Sequence, residues 1–424
     1  MGRIIIAVPN SPAGEIALKH IQQQPTFFDV TIKMTLGGAL SPQPVPNERY
    51  RLDLTLKHTY LLLTTEKNEF DVITRILRHH NNPQARPGNT RGFVEVGDID
   101  RPMSAALTPA ASAALGVPID LNLGNHANYL TQLNVSAAHA AGVKGKGVTV
   151  AIIDTGIDSS ITPSPVYVEE YHDIVRNQHL APIVGGTVTG VNDANGHGSA
   201  MAKVIAEVAP DAQLCVIKIC DNNPQLWDAM AGFGQALYAN ADVISFAFGF
   251  TTTGNLCCTC GTSGKTQSDV LRLLLDNIAK LNLTPRIAPV VVAPTGNESD
   301  SRGFKYPAAY DSVVAVGSVD SAAKRSLFSN YGRVHSTYLM APGGQEDNTG
   351  AIVEWVGEGP SGQKFYGTSP AVAYTVGMIA LLKSDPRNVY ATRSHLVDNV
   401  IHHCSPKPTN VNEQMEYGEG ALAF

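Results

Sequence analysis

Five short runs of almost unbroken apolar residues, at 148–153, 214–219, 243–246, 289–293 and 313–316, constrain this chain more than any other feature. Between them lie segments with helical apolar spacing, at 198–208, 226–239, 268–281 and 368–382. A strand that is apolar at nearly every position must be covered on both faces. Parallel strands joined by crossover helices meet that need, so the reading is an α/β fold with a doubly wound, mostly parallel sheet. The apolar stretch at 372–382 is well short of the roughly 18 residues of a membrane span. It reads as a buried helix, and no membrane is expected as a partner.

The first hundred residues have a different character. β-rich runs at 3–8, 28–34, 49–64 and 92–96 are interleaved with helical patterns at 15–23 and 67–79. That β-α-β-β-α-β order is the split βαβ arrangement of a small α+β unit. Residues 37–47, rich in Pro and Gly, read as a loop. Residues 101–116 (RPMSAALTPAASAALG) are small, Ala-rich and broken by proline, and read as a linker or a short helix. The chain therefore divides into a unit over 1–100, a linker over 101–120 and a larger unit over 121–424. Near the end, the acidic stretch 413–419 reads as a solvated tail.

Composition narrows the class. An apolar content of 43% excludes a mostly disordered chain. The net charge of −6, with no basic block, argues against nucleic acid as a partner. Residues 1–11 carry one positive charge, Arg3, and only a brief apolar run, which is not a secretory signal peptide. A cytoplasmic location is expected, or secretion if an export segment has been removed. Six cysteines in 424 residues do not make a disulfide scaffold. Three crowd together as Cys257, Cys258 and Cys260, but no zinc-type ligand spacing accompanies them. They read as a loop staple or reduced thiols rather than a metal or redox site.

Ligands of open α/β sheets gather at the carboxyl ends of the strands, and four segments are placed to meet there. Asp154 directly follows the run 148–153. His197 sits in Asn195-Gly196-His197-Gly198-Ser199 at a helix start, where flanking glycines permit close backbone approach. Asn297 follows the run 289–293 through Pro294-Thr295-Gly296. Ser369 opens an apolar helix after Tyr366-Gly367-Thr368, where free N–H groups favour a nucleophile. Taken singly, each has an ordinary explanation as a turn residue or an N-cap.

Together, in the order Asp, His, Asn, Ser, they resemble the subtilisin-like serine proteases (subtilases). The segments 128–157, 197–221, 241–249 (ADVISFAFG) and 306–320 (YPAAYDSVVAVGSVD) are similar to that family, as are 329–332 and Ala341-Pro342-Gly343. The resemblance implies a serine endopeptidase acting on polypeptides. Ser369 would be the nucleophile, His197 the general base, Asp154 the residue orienting the imidazole, and Asn297 an oxyanion donor. Substrate would pair with 246–249, and Phe246, Ala247, Phe248, Gly249, Ala293, Pro294 and Thr295 would wall the pocket. The two phenylalanines read equally as core packing. An apolar or small residue is expected before the cut, because no acidic pair marks a pocket for basic residues.

The resemblance extends to residues 1–100, which are similar to the inhibitory propeptide of secreted subtilases. It implies that the N-terminal unit is an intramolecular inhibitor and partner, with self-cleavage at 101–116; the opposing reading is a permanently attached N-terminal domain that regulates or recruits. No cofactor is required. Calcium is common in the family, yet Asp158, Asp193 and Asp300 do not assemble a six-to-eight-oxygen site and read as acids in solvated turns. Two departures from the family, Pro370 after the nucleophile and Ala373 four residues after it, bear on helix geometry and leave the reacting groups intact. The competing readings are a catalytically silent binding protein on the same fold and a peptide ligase or macrocyclase.

Overall fold

The five apolar runs become the middle of a ten-stranded sheet. A computed structural model of the protein describes residues 2–39, 55–81, 94–105, 119–158, 168–173, 178–180, 193–250, 267–281, 286–359, 362–388, 390 and 392–424. The strand order is Cys404–Ser405, Ala421–Leu422, Tyr338–Pro342, Val314–Val319, Val290–Pro294, Val243–Phe246, Thr149–Asp154, Gln213–Lys218, Val168–Asp173, Gln178–Leu180. Neighbours pair in parallel except at the two margins, where Cys404–Ser405 and Gln178–Leu180 run antiparallel. The cysteine cluster at 257–260 and residues 40–47 of the expected loop lie outside the described residues; residues 37–39 are not loop but close the strand Thr31–Ala39, where Gly37 pairs with Thr59 and Ala39 with Thr55.

Strand alternation explains the unbroken apolarity. Val150 and Ile152 enter the core on one face, while Ala151 and Ile153 enter the core on the other. Burying such a side chain contributes about 1.5–3 kcal/mol, so both faces must be covered. Thr368–Ser384 covers the first face and is buried from Thr368 through Leu382. A helix apolar all round belongs in an interior. No helix of the described residues is long and apolar enough to cross a membrane. Leu226–Tyr238 and Asp269–Ala279 cover the second face.

The N-terminal unit has the expected order, with shifted boundaries. Strands Gly2–Pro9, Thr31–Ala39, Thr55–Thr65 and Val96–Ile99 and helices Pro12–Gln23 and Glu69–Asn81 form a four-stranded antiparallel sheet with Gly2–Pro9 and Thr55–Thr65 central. Gly2–Pro9 alternates poorly in sequence because it too is buried twice. Ile4, Ile6 and Val8 pack against the unit's own helices. Ile5 and Ala7, with Tyr60, Leu62 and Val96, join the core that contains Leu226–Tyr238 and Asp269–Ala279. The two units therefore share one hydrophobic interface.

The C-terminal reading needs correction. Residues 413–419 are not a solvated tail. Val411–Tyr417 is helical, the Tyr338 hydroxyl donates to the Glu416 carbonyl at 2.9 Å, and Ala421–Leu422 adds a strand to the sheet with Leu422 buried. The segment is polar because only one side of it touches the sheet.

His126 ties the helix His126–Gln132 to the central helix, its Nδ1 lying 2.6 Å from the Tyr374 hydroxyl. Burial pushes its pKa down to about 4. The folded value lies below the unfolded one. The stabilisation is therefore full above about pH 6.5 and is lost as pH falls towards 4. Between pH 7 and pH 4 the wild type should lose on the order of 3 kcal/mol that His126→Gln does not lose, as read by denaturant titration.

Candidate functional site

The carboxyl end of Thr149–Asp154 and the N-terminal end of His197–Val208 meet almost without a gap. Gly196, at φ 84°, turns the chain into the helix. Gly198 permits the contact, since a Cβ there would collide with the Gly156 carbonyl and lie 3.1 Å from the Asp154 Cβ. At this junction His197 Nδ1 donates to Asp154 Oδ1 at 2.7 Å, and both residues are fully buried. Asp154 Oδ1 also accepts the Thr155 N–H at 2.8 Å. With Nδ1 engaged as donor, Nε2 is the basic nitrogen. It is buried with no hydrogen-bond partner among the described residues.

Asp193 organises the junction, a role the sequence does not display. Its carboxylate accepts from the Thr155 hydroxyl at 2.8 Å, the Gly196 N–H at 2.8 Å, the Ser199 N–H at 2.9 Å and the Ser199 hydroxyl at 2.6 Å. A carboxylate at a helix N-terminus gains from both the free N–H groups and the helix dipole. The expectation of a solvated turn therefore fails for Asp193, which is buried. Asp300 instead pairs with Arg302 at 2.9 Å, which holds its carboxyl below the usual range. Among the described residues, no three His, Cys, Asp or Glu side chains are grouped to hold a metal ion.

Asn297 is tied to the start of the helix that Ser369 enters. Ser369 is the second residue of Thr368–Ser384, entered through Gly367 at φ 120°. Asn297 follows Val290–Pro294 through Gly296 at φ 113°. Its Oδ1 accepts the Thr368 N–H at 2.9 Å and the Thr368 hydroxyl at 2.8 Å. That fixes the carboxamide with its oxygen towards the helix and its N–H₂ turned to the other side. Pro370 falls in the first helical turn, where its missing N–H has no intrahelical partner to lose, and the helix runs unbroken.

The helices that carry His197 and Ser369 pack together. His197–Val208 lies against Thr368–Ser384, and Gly377 allows the approach, because a Cβ there would sit 2.6 Å from the Val208 Cβ. Phe365, four residues before Ser369, meets the His197 ring edge-on at 6.0 Å between centroids.

Phe246 and Phe248 are both buried in one core, Phe246 lying 4.9 Å from Phe233 and 5.6 Å from Phe248 between ring centroids. Phe248 lies 6.5 Å from the His197 ring. Phe248–Gly249 is paired antiparallel with residues 104–105, Phe248 opposite Ala105 and Gly249 opposite Ser104. Ala293, Pro294 and Thr295 are buried at the end of their strand. Phe365 and Thr155 carry no signal in the sequence; their roles depend on contacts from distant segments.

Residues 145–420 match the model of the Subtilase family. The chain is 31% identical over 261 residues to the Major intracellular serine protease of Bacillus subtilis (strain 168), covering 58% of this chain and 71% of that protein. It is 30% identical over 269 residues to Subtilisin of Bacillus pumilus, covering 60% and 83%. With Subtilisin NAT of Bacillus subtilis subsp. natto it shares 30% identity over 60% of each chain.

Because Gly198 has no room for a side chain, Gly198→Ala must push the helix start off the strand end. A displacement of about 1 Å at a reacting group costs about 10²-fold in rate. Gly198→Ala should therefore lower kcat by about that factor in a peptidase assay while circular dichroism reports a folded chain.

Proposed function

Because the chain belongs to the subtilase family of serine proteases, we propose that it hydrolyses internal peptide bonds using Ser369, His197, Asp154 and Asn297. The observation that carries this reading is the buried 2.7 Å Asp154–His197 bond, on a helix packed against the helix that Ser369 opens. Triads of this kind share one chemistry across unrelated folds, and the roles follow from it. The Ser369 hydroxyl attacks the scissile carbonyl while His197 Nε2 takes its proton. The imidazolium that forms is stabilised by Asp154. The N–H₂ of Asn297 and the Ser369 N–H receive the developing oxyanion, and His197 then protonates the leaving amine. Water repeats the sequence on the acyl-enzyme. Small or apolar residues are the favoured side chains before the cut.

The N-terminal unit is read as an intramolecular inhibitor. Residues 104–105 occupy the edge of Phe248–Gly249, the strand to which an extended substrate would add. Two carboxyl groups reach the larger unit there. Asp100 accepts the Trp227 N–H at 2.8 Å at the start of Leu226–Tyr238 and pairs with Arg3 at 2.6 Å. Asp98 reaches Ser268, the N-cap of Asp269–Ala279. The Met103 N–H donates to the Pro224 carbonyl at 2.8 Å, which fixes the path towards 104–105. Self-cleavage within 101–116 would free the edge; residues 106–118 lie outside the described residues.

Mass spectrometry of purified wild type beside Ser369→Ala tests the whole reading. Wild type should show a cut within 101–116 that Ser369→Ala lacks. Ser369→Ala should also lose peptide hydrolysis and labelling by a fluorophosphonate probe, and Asn297→Ala should lose about 10²–10³ in kcat. Full cleavage by both variants would sink the assignment, and a wild type that neither cuts nor takes the probe would favour a silent binding protein.

Burial pushes Asp100 up to about 6 and raises Asp98 as well. Docking thus takes up protons. Its strength is full at low pH and falls as pH rises through about 6. After self-cleavage, more N-terminal fragment should co-elute with the larger unit at pH 5 than at pH 8, and Asp100→Asn should flatten that difference.

A further inference from the structure

Lys218 stands out as a lysine at the end of an otherwise apolar run, and it is wholly buried. It closes Gln213–Lys218 and lies directly opposite Asp154 in the parallel register. Residues in register on parallel strands point to the same face and stand roughly 4.8 Å apart. The ammonium and the Asp154 carboxylate therefore share one side of the sheet's carboxyl edge.

A buried ammonium is costly unless each of its protons is donated. Lys218 Nζ donates to the Thr155 carbonyl at 2.5 Å and the Cys220 carbonyl at 3.2 Å, and it pairs with Asp221 Oδ1 at 2.7 Å. Three acceptors thus meet three donors. Thr155 is the informative partner. Its N–H donates to Asp154 Oδ1 at 2.8 Å, and its hydroxyl donates to Asp193 and accepts the Gly198 N–H at 3.0 Å. One residue therefore connects the strand end, the start of the His197 helix and the buried ammonium.

We propose that Lys218 is a positioning residue for peptide hydrolysis, clamping Thr155 so that Asp154 is held for His197. The inference rests on the triad reading above. The charged and titratable groups around this corner are Asp154, His197, Asp193, Asp221, Asp228 of Leu226–Tyr238, and the thiol of Cys220, which burial pushes far up. Asp221 is the exposed member, so its charge can be removed without opening the core.

The test is kcat and KM on a peptide substrate, with melting temperature, for full-length wild type, Lys218→Met and Asp221→Asn, with Ser369→Ala reporting on the triad itself. Lys218→Met should lower kcat by about tenfold with KM within about twofold. A purely structural lysine predicts a lower melting temperature with kcat unchanged. A folded Lys218→Met with wild-type kcat, whatever its melting temperature, overturns the proposal. If Lys218→Met does not fold, Asp221→Asn decides, since it weakens the anchor of the Lys218 ammonium: a lower kcat at unchanged KM supports the proposal, and an unchanged kcat overturns it. Hydrolysis by Ser369→Ala would instead remove the triad reading, and the proposal with it.

Discussion

The structure depends on one close approach, that of a helix start to a strand end with no side chain between them. Gly198 makes it sterically allowed, and Asp193 makes it favourable by binding the N–H groups of Gly196 and Ser199. What results is an imidazole–carboxylate bond in a site from which water is excluded. Electrostatic interactions are stronger there than in solvent, and the donors are already oriented before any substrate arrives.

The same logic governs the opposite pair. The Asn297 oxygen is engaged by Thr368, which leaves the orientation of its N–H₂ determined rather than free to rotate. The long apolar helix behind Ser369 is gripped on every side, so the nucleophile stands on a rigid element. Lys218 extends this arrangement below the sheet edge, where a fully satisfied buried cation holds the peptide next to Asp154.

The N-terminal unit illustrates how burial on two faces changes the look of a sequence. Gly2–Pro9 carries Ile at three successive positions because alternate residues serve different cores. Its closing strand ends in two carboxylates that reach helix starts in the larger unit, and the chain then runs on to pair with Phe248–Gly249. Hydrophobic contact, helix-end charge and strand pairing act along one continuous surface.

The alternation of apolar runs with helical spacing is enough to assign the doubly wound sheet, since periods of two and of 3.6 are local properties. Asp154, His197, Asn297 and Ser369 can be picked out because each follows a strand or opens a helix. Ala421–Leu422 does not show in the sequence because a two-residue strand owes its existence to its neighbours rather than to a pattern. Asp193, Thr155 and Lys218 acquire meaning only through partners far away in the chain, and those contacts exist only once the core has brought the strand ends together. Periodicity is written in neighbouring residues, whereas hydrogen-bond partnership across the sheet edge is decided by packing.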